Sequence, residues 1–286
     1  MMKSFYLLLC FSQLFAQNAK LNDLILNREV GSFTNPQSIS GNSFGEIFIL
    51  ADEKIFKLNS EGETIDSIGG IGWSELNFNG SNDICATFPL YIFVTEKNNR
   101  RIQKIDKNFY SSFIIDATGL NIETESDFEP IATAISAQQE IFMLEKNIPS
   151  LVKLNSNLEF VKEIAGKNNY SQLLQNPKDI VSFGENLIAV LDLNFCFVFD
   201  WAGNLISKFK TPSNSQTISS FGKNILITTK NEILALATNG ELIFKTEKII
   251  GVKEKINFKD VYFNGECFFI LTETKLLVAE VVRFEK

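Results

Sequence analysis

The chain has 286 residues, 45% of them hydrophobic and 21% charged, so it carries enough apolar material to bury a core and is not a disordered polymer. It contains no histidine, which excludes Ser-His-Asp and Cys-His nucleophiles, histidine-ligated zinc, a proximal haem histidine and a histidine pH switch. A formal charge of −7 and a pI near 4.9 argue against general nucleic-acid binding.

The first residues read as a secretory signal peptide over 1–16. Lys3 supplies the basic start, residues 5–11 the apolar stretch, and Ala16 the small residue before a cut that leaves Gln17. The stretch is too short to cross a bilayer, and no later segment reaches transmembrane length. The expectation is a secreted protein, periplasmic or extracellular, with no membrane span and a monomeric state. Cleavage removes Cys10 and leaves Cys85, Cys196 and Cys267, each inside an apolar run. Three scattered cysteines are not a disulfide framework and read as small buried hydrophobes.

From residue 33 onward the chain repeats. Apolar runs at 47–50, 92–94, 141–144, 187–191, 225–227 and 268–271 begin 45, 49, 46, 38 and 43 residues apart. Short runs rich in Ile and Phe suit strands buried on both faces. Each is followed by a second strand, such as 55–58, 102–105 or 195–199, and then by a turn in which Gly62, Gly203 or Gly240 meets the need for positive φ. A further strand follows, and a short segment precedes each central run: residues 33–39 recur at 78–84, at 174–180 and more loosely at 128–130. Four antiparallel strands repeated radially are propeller blades. The reading is an all-β, six-bladed β-propeller with four antiparallel strands per blade. Residues 24–30 form an orphan strand before the first blade, which the count assigns to the outer edge of the last blade, closing the ring. Removing 16 signal residues leaves 270, or 45 for each blade, so residues 17–286 make one propeller domain.

Blade two carries a motif. Gly69, Gly70 and Gly72 precede Phe78, and Glu96, Asn99, Arg101, Ile102 and Gln103 follow the central run. This resembles the NHL repeat, with Glu96 for the usual Asp and Ser81 for the usual Pro. The best match spans residues 69–106. Blades one and four match in part, through Pro36 with Asp52 and Pro177 with Asp192, and blades five and six are degenerate.

Asp52, Glu96, Glu145, Asp192 and Glu273 close the central strands. Their recurrence at equivalent places favours carboxylates that satisfy their own turns over a calcium ring, and no metal site is assigned. Lys97, Arg100 and Arg101 read as solvated turn charge. The inter-blade connections 69–82, 116–130 and 165–178 are long and consecutive. They predict a recognition surface over blades two to four carrying Trp73, Glu75, Asn98, Arg100, Asn168, Asn169 and Tyr170. Trp201 falls on the opposite face and reads as a structural plug. No catalytic residue and no cofactor is assigned. The function expected is non-catalytic: binding of a protein, peptide or glycan, or a scaffold in an envelope or extracellular complex. The alternative is a calcium-dependent lactonase or gluconolactonase, which similar propellers include. It would draw on Asn35, Asn82, Asp83 and Asp179 near the starts of the first strands.

Overall fold

The computed structural model describes residues 23–110, 112–120, 128–166 and 174–281, which form twenty-five strands in six sheets. Residues 1–16, expected to be a signal peptide, lie outside them. Strand β1 (Leu24–Ser32) precedes the first blade. Blade one is β2 (Pro36–Gly41), β3 (Ile47–Ala51), β4 (Lys54–Leu58) and β5 (Thr64–Gly69). Blade two is β6 (Ser81–Cys85), β7 (Tyr91–Glu96), β8 (Arg101–Asp106) and β9 (Ser112–Asp116). Blade three is β10 (Pro130–Ile135), β11 (Ile141–Glu145), β12 (Ser150–Leu154) and β13 (Phe160–Ala165). Blade four is β14 (Pro177–Phe183), β15 (Leu187–Asp192), β16 (Phe195–Asp200) and β17 (Leu205–Lys210). Blade five is β18 (Ser215–Phe221), β19 (Asn224–Thr229), β20 (Ile233–Leu236) and β21 (Leu242–Thr246). A two-residue strand, β22 (Ile249–Ile250), leads into blade six, β23 (Phe258–Phe263), β24 (Phe268–Thr272) and β25 (Lys275–Val281). Each blade is an antiparallel meander in chain order, and the whole is a six-bladed β-propeller.

The ring closes as the repeat count predicts. β1 pairs antiparallel with β25, Leu24 opposite Val281 and Val30 opposite Leu276, and so supplies the outer strand of blade six. Beyond the prediction, β22 pairs in parallel with β1 and makes this sheet five-stranded.

The second strands are buried along their length because both faces are covered by neighbouring blades. Six apolar clusters result, each spanning neighbouring blades. One joins Ile39 and Ile49 of blade one to Phe269 and Leu271 of blade six, and the next joins Phe48 and Leu50 to Ile84 and Val94 of blade two. Full burial of an Ile or Phe contributes about 1.5–3 kcal/mol, so the blade interfaces hold the fold. Gly62, Gly203 and Gly240 take φ of 83°, 86° and 84° in the third turns, as their positions require. Cys85 and Cys196 are buried free thiols and Cys267 is a half-buried one.

Candidate functional site

The first strands β2, β6, β10, β14, β18 and β23 line the axis. Each has a bulge near its start, followed by one residue that occupies the same register in every blade: Ser38, Asp83, Ala132, Asp179, Thr217 and Asp260. Aspartate therefore stands on every second blade, with a small residue between. The three carboxylates share one contact, a backbone N–H of the next blade. Asp83 Oδ2 accepts the Thr133 N–H at 3.2 Å, Asp179 Oδ2 the Ile218 N–H at 2.8 Å, and Asp260 Oδ2 the Ile39 N–H at 2.9 Å. Each donor belongs to the next blade, so each carboxylate ties one blade to its successor. The other oxygen of Asp179 and of Asp260 accepts the following N–H of its own strand. Asp83 Oδ1 accepts the Ser38 hydroxyl at 3.0 Å.

These aspartates line an axial cavity of about 60 Å³, room for about two waters. Burial pushes the Asp83 carboxyl up to about 7, with the Asp260 charge adding to it. Burial likewise holds Asp260 at about 6. Asp179 is raised well above the usual carboxylate range by burial and then by the charges of Asp83 and Asp260. Thr133, 2% exposed, lines the same cavity, and its hydroxyl has no hydrogen-bond partner. The buried Ser219 hydroxyl is in the same state.

The axial cavity opens into a funnel of about 570 Å³, and Thr87, Ser182, Ser220 and Tyr262 line both. In a meander the first and third turns of every blade share a face. The funnel lies on that face, among the first turns, with Trp201 reaching in from the third turn of blade four. Aromatic walls come from Phe88, Trp201, Tyr262 and Phe263, hydroxyls and amides from Ser43, Ser136 and Asn264, and one charge from Glu185. The Tyr262 ring crosses the neck so closely over Gly41 that a Cβ there would sit 2.4 Å from it. Trp201 packs against the cluster between blades three and four, and its buried Nε1–H has no partner. It is thus both a plug and part of a cavity wall.

The opposite face carries Trp73, 70% exposed, beside Ile71, 82% exposed. Their connection is held from below by the motif residues of blade two. Glu96, fully buried, pairs with Arg101 at 2.7 Å. Arg101 also donates to the carbonyls of Trp73, Ser74 and Asn77, Gln103 donates to Asn77 O and accepts from Leu76 N–H, and Asn99 donates to Gly72 O. The motif residues of blade two thus hold the loop at 72–77 through side-chain hydrogen bonds to its backbone. Arg101 is therefore not solvated turn charge: its guanidinium is buried because five of its possible bonds end on loop carbonyls and Glu96. Glu75 accepts the Ser112 hydroxyl, Asn98 donates to Asn79, and Arg100 sits half-buried at φ 50°. Asn168, Asn169 and Tyr170 lie outside the described residues.

The strand-end carboxylates work mainly within their own blades. Glu145 accepts the N–H groups of Glu129, Lys146 and Asn147, and Asp192 those of Gln175 and Asn176. Blade one departs from the pattern, since Glu53 rather than Asp52 receives Gly80 and Ser81 N–H. Glu273 pairs with Lys230 at the surface. Among the described residues, no three His, Cys, Asp or Glu side chains are grouped to hold a metal ion, and no helix is long and apolar enough to cross a membrane. Of the residues named from sequence, Asp83 and Asp179 meet on the axis. Asp260 was not singled out, and aligning its Asp-Val pair with Asp83-Ile84 and Asp179-Ile180 is the signal that finds it.

No family model and no curated protein matches the sequence. Solved structures match the fold. A catalytically inactive virginiamycin B lyase from Staphylococcus aureus, solved with quinupristin, is 16% identical with a TM-score of 0.60 over 86% of this chain and 80% of that one. A gluconolactonase from Xanthomonas campestris is 11% identical with a TM-score of 0.65 over 91% and 89%. A nidogen/laminin complex is 12% identical with a TM-score of 0.55 over 74% and 84%. At such identities the likeness shows the six-bladed propeller and leaves the activity open.

Proposed function

We propose that this chain is a secreted, non-catalytic recognition propeller of NHL-like type that binds a peptide, protein or glycan in the funnel on the face of the first and third turns. The observation that carries this is the funnel itself: about 570 Å³, centred on the axis, with aromatic walls and neutral hydrogen-bonding groups at its rim. A ligand-capture screen against peptide and glycan arrays tests it with a Ser182→Trp variant, which fills the neck. Ligands that bind the parent and are lost in the folded variant support the funnel. Retention of every ligand by the variant sinks it.

A second reading is favoured by the Trp73 loop. An exposed indole and Ile71 on a loop fixed by a buried ion pair make a preorganised anchor for a protein partner. Loss of partner binding in Trp73→Ala, with Ser182→Trp unaffected, would move recognition to that face. The calcium-dependent lactonase reading finds no metal-holding group among the described residues, and the aspartate oxygens already receive backbone N–H groups. Calorimetry with calcium, alongside lactone hydrolysis, tests it directly.

A further inference from the structure

Three blades carry a lysine at one register of the third strand: Lys57 opposite Phe48, Lys104 opposite Phe93 and Lys153 opposite Phe142. The chain itself closes two of these sites. Lys57 meets Glu46 at 2.8 Å and donates to the Lys107 carbonyl of blade two. Lys153 meets Glu140 at 2.8 Å and donates to the Trp201 carbonyl of blade four. Each glutamate stands one residue before the isoleucine, Ile47 or Ile141, that pairs with Leu58 or Leu154. In blade two that place, before Ile92 opposite Ile105, belongs to Tyr91. A ring replaces the carboxylate, and the Lys104 ammonium lies over it at 4.2 Å. Among the described residues, Lys104 makes no hydrogen bond or ion pair. Burial lowers its pKa, and no neighbouring charge adds to the shift. A half-buried cation held by a π-face alone lacks the counter-charge that its two counterparts have.

The Lys104 site adjoins the funnel. Tyr91 is stacked on Phe88 at 6.2 Å, and Phe88 is a wall of the funnel. On the same face, the first and third turns of blades one and two expose Phe44, Leu90 and Tyr110. Lys107 links two of them, its ammonium over Phe44 at 4.8 Å and its N–H on the Leu90 carbonyl. Glu185, the one charge in the funnel wall, stands two blades away on blade four. Glu46 and Glu140 show which group a lysine at this register takes, and exposed apolar side chains on the same rim suit a peptide whose acidic group has apolar neighbours. We propose that Lys104 receives a carboxylate of a bound peptide, from an acidic side chain or the chain end, while apolar residues of that peptide cover Phe88, Leu90 and Tyr91. This rests on the funnel face being the recognition surface and names the class of ligand it takes.

Calorimetry with the capped peptide acetyl-Leu-Glu-Phe-Leu-amide tests the inference, against its amidated Gln counterpart and against the Gln peptide with a free carboxyl terminus. The Glu peptide is expected to bind about tenfold tighter than the amidated Gln peptide, the scale of one charge-assisted hydrogen bond. The same gain in the free-acid Gln peptide alone supports the inference and assigns the carboxylate to a chain end. Lys104→Met is expected to remove the preference. Tyr91→Glu is expected to remove it too, because its carboxylate restores in blade two the pair that Lys57 and Lys153 make. Should Lys104→Met fail to fold, Tyr91→Glu and the probe selectivity of the parent carry the same test. Equal binding of all three peptides, binding of none, or a preference that survives in both variants overturns the inference. A neutral ligand lost in Ser182→Trp, with no preference among the peptides, overturns it while leaving the funnel in place. A preference lost in Lys104→Met but kept in Ser182→Trp supports the lysine site and moves recognition from the funnel neck to its rim.

Discussion

Single residues in this propeller divide by what their polar atoms meet. Arg101 and Trp73 are neighbours through one hydrogen bond, yet one is buried and the other projects into solvent. Replacing Arg101 by Met leaves Glu96 buried without its partner and several loop carbonyls without a donor. Breaking such a pair costs about 3–5 kcal/mol, and chemical denaturation should show a loss of that order. Trp73→Ala removes a side chain that is 70% exposed, so it should change stability by no more than about 0.5 kcal/mol. A large stability loss for Trp73→Ala would make the indole a structural cover and remove it as an anchor. The motif residues were legible from their spacing, but their task was not: that Arg101 and Gln103 serve the loop at 72–77 depends on a contact between segments about 25 residues apart.

At the scale of elements, β1 is the strand that closes the ring. Its role was legible from arithmetic, because blade six was one strand short and residues 24–30 had no blade. Leu24, 1% exposed, sits in the cluster shared by blades five and six. Leu24→Ala should cost about 2–5 kcal/mol. Ile65→Ala, at a residue 57% exposed on the outer strand of blade one, should cost well under 1 kcal/mol. Equal costs would mean that ring closure adds nothing to stability. The pairing of β22 with β1 was not legible, since two residues carry no periodicity.

For the whole molecule, the axial carboxyls set a pH dependence. Asp83 and Asp260 titrate at about 7 and 6 in the folded state, and Asp179 is raised further, against 3.8 for an unburied aspartate. Glu145 is also pushed up to about 7 by burial. The folded state then binds more protons than the unfolded state between about pH 4 and 7, so stability falls as pH rises through that window. Thermal unfolding should give a higher Tm at pH 5 than at pH 8, by several degrees at constant ionic strength. A Tm that rises toward pH 8 would rule out the triad as a site of net proton uptake. Below about pH 4 the trend should reverse, as Glu46, Asp200 and Glu273, held low by their partners, lose their charge.

By itself the sequence determined the strand order, the six units, the turn glycines and the ring closure. All of these follow from local periodicity and from the need to cover apolar strands on both faces. Only the tertiary structure decided where the axis runs and what meets on it. Asp83, Asp179 and Asp260 stand about 80 to 100 residues apart in sequence and share a cavity because the blades turn through a full circle. The funnel arises for the same reason, from first turns of different blades that are ordinary one by one. Trp201 and Tyr262 look like isolated aromatics in sequence, and they become cavity walls because closure brings their blades to one axial mouth.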